Sequence, residues 1–433
     1  MSDLLSLFLE KRRITTDTRK LESGDMYFAL KGANFDGNAF ADKALEAGAS
    51  CVVIDDITVH KPLDDRYFYA FDVLETLQEL ALSYRRTLDI PIIGLGGSNG
   101  KTTTKELLLA AFQGNRKVHA TAGNYNNHIG VPLTLLSIPA DAELAIIEMG
   151  TNQPGDMELL CALAEPDFGL LTNIGKEHLE LLHDLDGVQR EEGTLFQYLN
   201  EREGTVFVNM ADDRVAAEGA KLEEAICYGN PGSEAYAEVL DMRLDGMRLA
   251  MRGPLFGEDF EIEAKLSGHY NAANVVAAAA VAAYFGVPTA TIASGIGAYE
   301  SSNNRSELVQ RGAHTIWLDA YNANPSSMEA AIAHVCSMPN TKVALILGDM
   351  RELGETSQTE HAALGTFIQD FDVAMTIGIG QEMKAMIEQA PEPKHWFATV
   401  AEARESVWDL IAATDTVLIK ASRGMKLEGL LHP

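Results

Sequence analysis

Positive charge is in short supply in this 433-residue chain: 34 lysines and arginines face 63 aspartates and glutamates, for a formal net charge of −29. A chain so balanced repels phosphate backbones and anionic lipid, which excludes nucleic acid and membrane surfaces as general partners. Anionic substrates must therefore be held by local cations and backbone dipoles. Cysteine is scarce too. Cys51, Cys161, Cys227 and Cys336 lie far apart and form no C-x-x-C pair, so neither a disulfide framework nor a zinc site is indicated, and core thiols in a reducing compartment are expected. No run approaches the roughly 18 apolar residues of a membrane span. The first 13 residues place a short apolar stretch ahead of Lys11-Arg12-Arg13, the reverse of a secretory signal's charge order. A soluble, cytoplasmic protein without membrane insertion is the expectation, with a monomer as the default. Internal repeats and low-complexity tails are absent, and the length exceeds what one core serves.

What the chain does have is Gly94-Leu95-Gly96-Gly97-Ser98-Asn99-Gly100-Lys101-Thr102-Thr103-Thr104, set between the apolar run at residues 90–93 and a helical stretch at 105–112. Glycines between a strand and a helix N-terminus free backbone N–H groups to cradle phosphate. Lys101 supplies the positive charge for the outer phosphates and the Thr102 hydroxyl suits a magnesium shell. The spacing, Gly97-x-x-Gly100-Lys-Thr, is shorter than the common phosphate loop.

Around it the pattern is α/β in three domains. Short strands at 26–30, 51–54 and 67–70, with one helix near 41–47, make a small N-terminal domain over residues 1–84. Buried parallel-type strands at 90–95, 144–148, 168–172 and 205–209 imply a central, P-loop-type, doubly wound ATPase domain over 85–302. Within it, residues 239–252 alternate about Asp245-Gly246, an antiparallel hairpin, and an alanine-rich helix follows at 271–285. A second alternating series, with strands at 315–319, 343–347, 373–377 and 416–420, gives a C-terminal Rossmann-like domain over 303–433, joined at 301–304 by a linker where domain closure is expected.

Glu148 closes the apolar strand 144–147, so its carboxylate emerges at the edge where α/β ligands bind. A carboxylate beside a phosphate cradle suits magnesium. His178 follows another strand and reads either as a metal ligand or as a structural histidine. The polar stretch 124–128 reads as a loop. Asp319 closes the strand 316–318 and either holds ribose hydroxyls or caps the next helix.

Taken together, Gly97 to Thr103, Asn124 to Pro132, Glu148-Met149-Gly150, Asn173 to Glu180, Gly268 to Asn274 and Asp319 to Pro325 resemble the motifs of the Mur ligases of peptidoglycan precursor synthesis, in family order. Three further stretches, Asp17-Thr18-Arg19 with Gly24 to Gly32 and Asp36-Gly37, Leu347 to Gly354, and Lys420 to Met425, are similar to the branch that adds D-alanyl-D-alanine to a UDP-N-acetylmuramoyl-tripeptide. The resemblance implies an ATP- and Mg2+-dependent ligation through an acyl phosphate, on small-molecule substrates. It implies that Gly97, Ser98, Asn99, Gly100, Lys101, Thr102 and Thr103 hold the phosphates, and that Thr102, Glu148 and His178 ligate magnesium. Arg305 would lie near the γ-phosphate, Asn271 and Asn274 on the adenine side, and Asp319 at the ribose. Thr18, Arg19 and Asn38 would face the UDP-sugar, and Asp349, Ser422 and Arg423 the incoming dipeptide.

One departure stands out. Many Mur ligases carry, downstream of the histidine, a lysine that is carbamylated and helps bind the second magnesium. Here that position is Glu192, and no lysine occurs between Lys176 and Lys221. The carboxylate expected opposite Lys101 and Thr102 must then come from Glu192, unless Glu191 and Glu192 are simply a solvated helix face. Gly96 stands where a threonine is frequent, and Ala421 where a glycine is frequent, which calls for a negative φ there. The other readings are a ligase for a different amino acid, such as a folylpolyglutamate synthase, and a nucleotide-binding protein with a decayed site.

Overall fold

The computed structural model describes residues 1–301, 305–339 and 341–431, so most of the expected linker at 301–304, and the 302/303 boundary, lie outside the described residues. The chain forms two compact units, one of Met1–Leu95, Arg116–Gly150 and Asp156–Phe168, the other of Gly96–Asn115, Thr151–Gly155 and Gly169–Pro433. Among the described residues no helix is long and apolar enough to cross a membrane.

In the first unit, β1 (Ile14–Thr15), β2 (Met26–Phe28), β3 (Cys51–Ile54) and β4 (Tyr67–Tyr69) lie in that order, all parallel. Every residue of β2 and β3 is buried, the signature of apolar runs covered on both faces. A helix over Val73–Arg85 follows, capped by the Asp72 side chain on the Glu75 N–H. Its buried Val73, Leu77, Leu80, Ala81 and Tyr84 recur at helical spacing. Three more parallel strands complete the unit, β5 (Ile92–Gly96), β6 (Val118–Ala120) and β7 (Leu144–Glu148), with β7 between the other two.

The second unit holds β8 (Phe168–Leu171), β9 (Thr205–Asn209), β10 (Ile226–Gly229), β11 (Ala235–Arg243), β12 (Gly246–Arg252) and β13 (Phe260–Ala264) in that order. The expected hairpin is the β11–β12 pair, but Arg243 faces Gly246 across the turn Leu244-Asp245, one residue ahead of the expected Asp245-Gly246. β13, with burial alternating along its length, adds a third antiparallel strand that the sequence reading missed. Helix α1 (Lys101–Phe112) packs against α2 (His269–Tyr284), whose run of small buried alanines admits a close approach.

The same unit contains a six-stranded sheet ordered β14 (Glu307–Arg311), β15 (His314–Asp319), β19 (Thr416–Lys420), β16 (Val343–Gly348), β17 (Met375–Ile379), β18 (Lys394–Phe397). Only β14 is antiparallel to its neighbour. The buried core of this sheet is Ile316, Leu318, Ala344, Ile346, Ile377, Val417 and Ile419. Cys51 and Cys161 are buried free thiols, while Cys227 and Cys336 are half-buried.

Candidate active site

The phosphate loop starts from its two conformational demands. Gly97 and Gly100 have φ of +111° and +84°, a region that costs side-chain-bearing residues. A Cβ on Gly97 would meet Thr172 Oγ1 at 2.2 Å, and one on Gly100 would meet Asn274 Oδ1 at 2.8 Å. The loop therefore lies tight against Thr172 and Asn173 on one side and the Asn274 side chain on the other. Gly97→Ala is expected to cost about 2 kcal/mol or more in stability and to weaken nucleotide binding; an ADP titration and a thermal melt both matching the unsubstituted protein would contradict it.

The rest of the loop is pinned by the segment after β8. Ser98 N–H donates to Asn173 O at 2.9 Å, Asn99 N–H to Asn173 Oδ1 at 3.1 Å, and the Asn173 amide returns to Asn99 O at 2.7 Å. The Ser98 hydroxyl donates to Gly175 O at 3.1 Å. Asn324 Nδ2 donates to Asn99 Oδ1 at 2.9 Å, while Asn324 Oδ1 caps the helix α4 (Pro325–Cys336). Asp319 is thus not that helix's cap. Lys101 opens α1, its Nζ donating to Gly97 O and lying 3.8 Å from Glu177 Oε2. Thr102 and Thr103 sit half-buried in the same first turn, and Asn271 and Asn274 are buried on α2, the Asn274 amide beside Gly100.

Glu191 and Glu192 lie on α3 (Leu185–Asn200), and neither is solvated. Glu192 is fully buried. Its Oε2 accepts from the Gly97 N–H at 2.6 Å and its Oε1 from the Thr151 hydroxyl at 2.9 Å. Burial pushes its carboxyl up to about 7, with Lys101 pulling down and Glu177 pushing up. Glu191 accepts from the Gly155 N–H at 2.9 Å. The solvated-face alternative is therefore corrected: Val188, Glu192, Leu195 and Leu199 form one core-facing stripe.

His178 takes a left-handed φ of +47° ahead of a short helix, which turns its ring inward. Nδ1 lies 2.9 Å from Glu352 Oε2, and Nε2 lies 3.9 Å from Glu177 Oε2. Burial pulls this imidazole down, but Glu352 and Glu177 outweigh it and hold it above its ordinary value. Glu177 itself is buried, and its Oε1 has no hydrogen-bond partner. In the first unit, Glu148 is buried at the end of β7 and its Oε1 accepts from Asn126 Nδ2 at 2.9 Å. Among the described residues no three His, Cys, Asp or Glu side chains form a metal cage by themselves.

Asp319 is paired with the buried Lys420, which also donates to Asn322 O at 3.1 Å. Arg305 lies with its Cζ 3.5 Å from the Tyr321 ring centroid, and Arg423 Cζ is 4.7 Å from the same centroid. Ser422 is buried between Ala323 O and the Arg351 N–H, and Asp349 Oδ1 accepts from the Met383 N–H at 2.9 Å. Ala421 is buried and is not among the positive-φ residues.

In the first unit the expected UDP-sugar residues divide. Arg19 is exposed and bidentate on Asp17, whose carboxyl it holds at about 2, and Thr18 is half-buried beside it. Asn38 is buried and engaged within its own turn. Its amide donates to Asp36 and Asp55 at 2.8 Å each and its carbonyl accepts from the Asp55 and Asp56 N–H groups, so the side chain is spent on organising its own turn. Glu177, Thr151, Asn324, Tyr321, Glu352 and Lys420 were missed by sequence reasoning.

Three family models match the chain: the Mur ligase family catalytic domain over residues 12–85, the Mur ligase middle domain over 95–282 and the Mur ligase glutamate ligase domain over 304–423. The UDP-N-acetylmuramoyl-tripeptide–D-alanyl-D-alanine ligase of Bacillus subtilis is 34% identical, covering 96% of this chain and 92% of the relative. This chain belongs to the Mur ligase family. The ligase of the same description from Escherichia coli is 31% identical over 97% of this Mur ligase and 92% of its own length. Among solved structures, MurF from Acinetobacter baumannii superposes with a TM-score of 0.88 at 28% identity, covering 97% of this chain and 92% of that one. The MurF ligase from Thermotoga maritima in complex with ADP gives 0.85 at 25% identity, covering 100% and 97%. The three-domain α/β organisation of this Mur ligase is thus that of its family.

Proposed function

We propose that this Mur ligase joins D-alanyl-D-alanine to a UDP-N-acetylmuramoyl-tripeptide at the expense of ATP. The observation that carries the reading is the phosphate loop with Lys101 at a helix N-terminus, in a chain similar along its whole length to ligases of that description. In the proposed reaction the tripeptide's terminal carboxylate oxygen attacks the γ-phosphorus and ADP leaves. The dipeptide amine then adds to the acyl carbon of the resulting acyl phosphate, and inorganic phosphate departs from the tetrahedral intermediate.

The chain's own residues supply position and charge, the main levers in phosphoryl transfer. The loop N–H groups cradle the phosphates, Lys101 and Arg305 offset the charge gathering at the γ-phosphate, and Asn271, Asn274 and Asp319 receive the nucleoside. Arg423, near the same tyrosine ring as Arg305, faces the substrates, with Ser422 and Asp349 supporting that segment. Thr18, Arg19 and Asn38 keep the UDP-sugar assignment. The donors of the second unit suit a hard divalent cation: the Thr102 hydroxyl, His178 and a buried Glu177 oxygen without a hydrogen-bond partner. Glu148 keeps the magnesium role that the family resemblance gives it. Magnesium bound there would screen the repulsion between the two reacting anions. The cytoplasm, where ATP is available, is the proposed compartment, and the enzyme is proposed to act as a monomer without nucleic-acid partners.

The test is phosphate release with purified UDP-tripeptides ending in lysine or in diaminopimelate, each with and without D-alanyl-D-alanine. Release that requires the dipeptide is expected with one of the two. Release driven by a single amino acid instead would assign another ligase, and no release with any pair would remove the activity.

A further inference from the structure

Two buried carboxylates face Lys101, and they are not equivalent. Glu192 is committed, one oxygen to the Gly97 N–H at 2.6 Å and the other to the Thr151 hydroxyl at 2.9 Å. Both donors belong to the protein, so this carboxylate braces the loop turn. Glu177 is 5% exposed, its Oε1 has no partner, and its Oε2 lies 3.8 Å from Lys101 Nζ and 3.9 Å from His178 Nε2. Neither distance is a hydrogen bond.

A buried oxygen left without a partner is destabilising, and more so on a charged group. A triphosphate arriving at Lys101 makes matters worse, because it sets further negative charge against Glu177. A cation between the two removes both penalties. His178 is already arranged for one: Glu352 holds its Nδ1 side at 2.9 Å, which orients the ring and leaves Nε2 turned toward Glu177, the carboxylate–histidine arrangement found behind metal-ligating imidazoles. The 3.9 Å between Glu177 Oε2 and His178 Nε2 is wider than the roughly 3.0 Å between neighbouring ligands of a magnesium octahedron, so a shared cation would draw the two side chains together.

We propose that Glu177 is a divalent-cation ligand beside His178, and that Glu192 serves as the brace holding Gly97 and Thr151. This rests on the metal-assisted reading given above. It also accounts for the absent lysine, since the carboxylate facing the phosphates comes from the residue next to His178 rather than from α3.

The test is binding of Mn2+ to the full-length enzyme with saturating ADP, followed by the loss of the free-ion electron paramagnetic signal, alongside ADP titrations in excess chelator. Glu177→Gln is expected to weaken Mn2+ binding at least tenfold while leaving metal-free ADP binding equal to or tighter than that of the unsubstituted enzyme. Glu177→Asp, one methylene shorter, provides a second variant with an expected loss of several-fold. Mn2+ affinity within twofold of the unsubstituted enzyme in both variants overturns the proposal. So does an equal change in metal-free and metal-bound ADP affinity, which would make Glu177 only the counter-ion of Lys101. If the unsubstituted enzyme with ADP takes up no more Mn2+ than ADP alone, the metal-assisted reading falls and the Glu177 assignment falls with it.

Discussion

Lys101→Ala is expected to lower turnover by roughly 10²- to 10³-fold, with kcat and kcat/KM falling together. The reason is where the ammonium sits. At the start of α1, its Nζ reaches back to Gly97 O, at the cradle formed by the loop N–H groups, so its charge is placed where the transferring phosphate develops its own. An interaction that strengthens as charge develops acts on kcat, whereas a simple binding contact would raise KM alone. The substitution has a second consequence. Lys101 is the largest of the influences that pull the Glu192 carboxyl down, ahead of its hydrogen bonds from Gly97 and Thr151 and against burial and Glu177. Without it, two buried acids face one another with no cation between them, and the variant should lose stability at alkaline pH relative to the unsubstituted enzyme. Steady-state phosphate release and melting curves at two pH values check both points. A turnover loss below tenfold would sink the assignment of Lys101 to the reacting phosphate.

Much of this was legible in the sequence because it rests on short-range rules. Continuous apolar runs became buried parallel strands, as at Cys51–Ile54 and Leu144–Glu148, and the glycine pair around Ser98-Asn99 became the positive-φ loop that phosphate cradles need. Three of the strands that escaped notice, Glu307–Arg311, Lys394–Phe397 and Phe260–Ala264, have at most alternating or partial burial and lie at sheet edges, where charge is admitted on the outer face, while Ile226–Gly229, also missed, is a short interior strand. Glu192 was half legible. Its acidic neighbour suggested a wet surface, yet the helical spacing Val188, Glu192, Leu195, Leu199 already placed it on the apolar stripe. Glu177, Tyr321 and Asn324 carried no such signal, for their roles come from partners far along the chain: Lys101 for the first, Arg423 for the second, Asn99 for the third. Asn38 carried a signal of another kind. A polar turn residue reads as a ligand contact, and only the structure shows its amide consumed by Asp36 and Asp55.

Glu192→Gln separates the two parts that a buried acid can play, and its stability effect has a definite sign. In the folded, metal-free enzyme the carboxyl titrates at about 7, against an ordinary value of 4.5, because burial disfavours the charged form more than Lys101 favours it. A raised carboxyl binds its proton more tightly folded than unfolded. Its contribution to stability is therefore full below pH 4.5 and is lost progressively as pH rises to 7, at about 1.4 kcal/mol per pH unit across that window. Glutamine removes the titration. Its carbonyl can accept from the Gly97 N–H, and its amide can donate to Thr151 once that hydroxyl turns, so both bonds survive with one reversed in sense. In chelator, the melting temperature of Glu192→Gln relative to the unsubstituted enzyme should then rise between pH 5 and pH 8. Parallel melting curves across that range would contradict the raised titration. Turnover should move the other way. Without the negative charge beside Lys101 the loop loses electrostatic definition, and Glu192→Gln should lower phosphate release by about tenfold, and by more than Glu191→Gln, whose carboxylate serves the Gly155 N–H away from the loop. Equal and negligible losses in the two variants would show that the charge on Glu192 has no part in the reaction, even if its hydrogen bonds hold the loop.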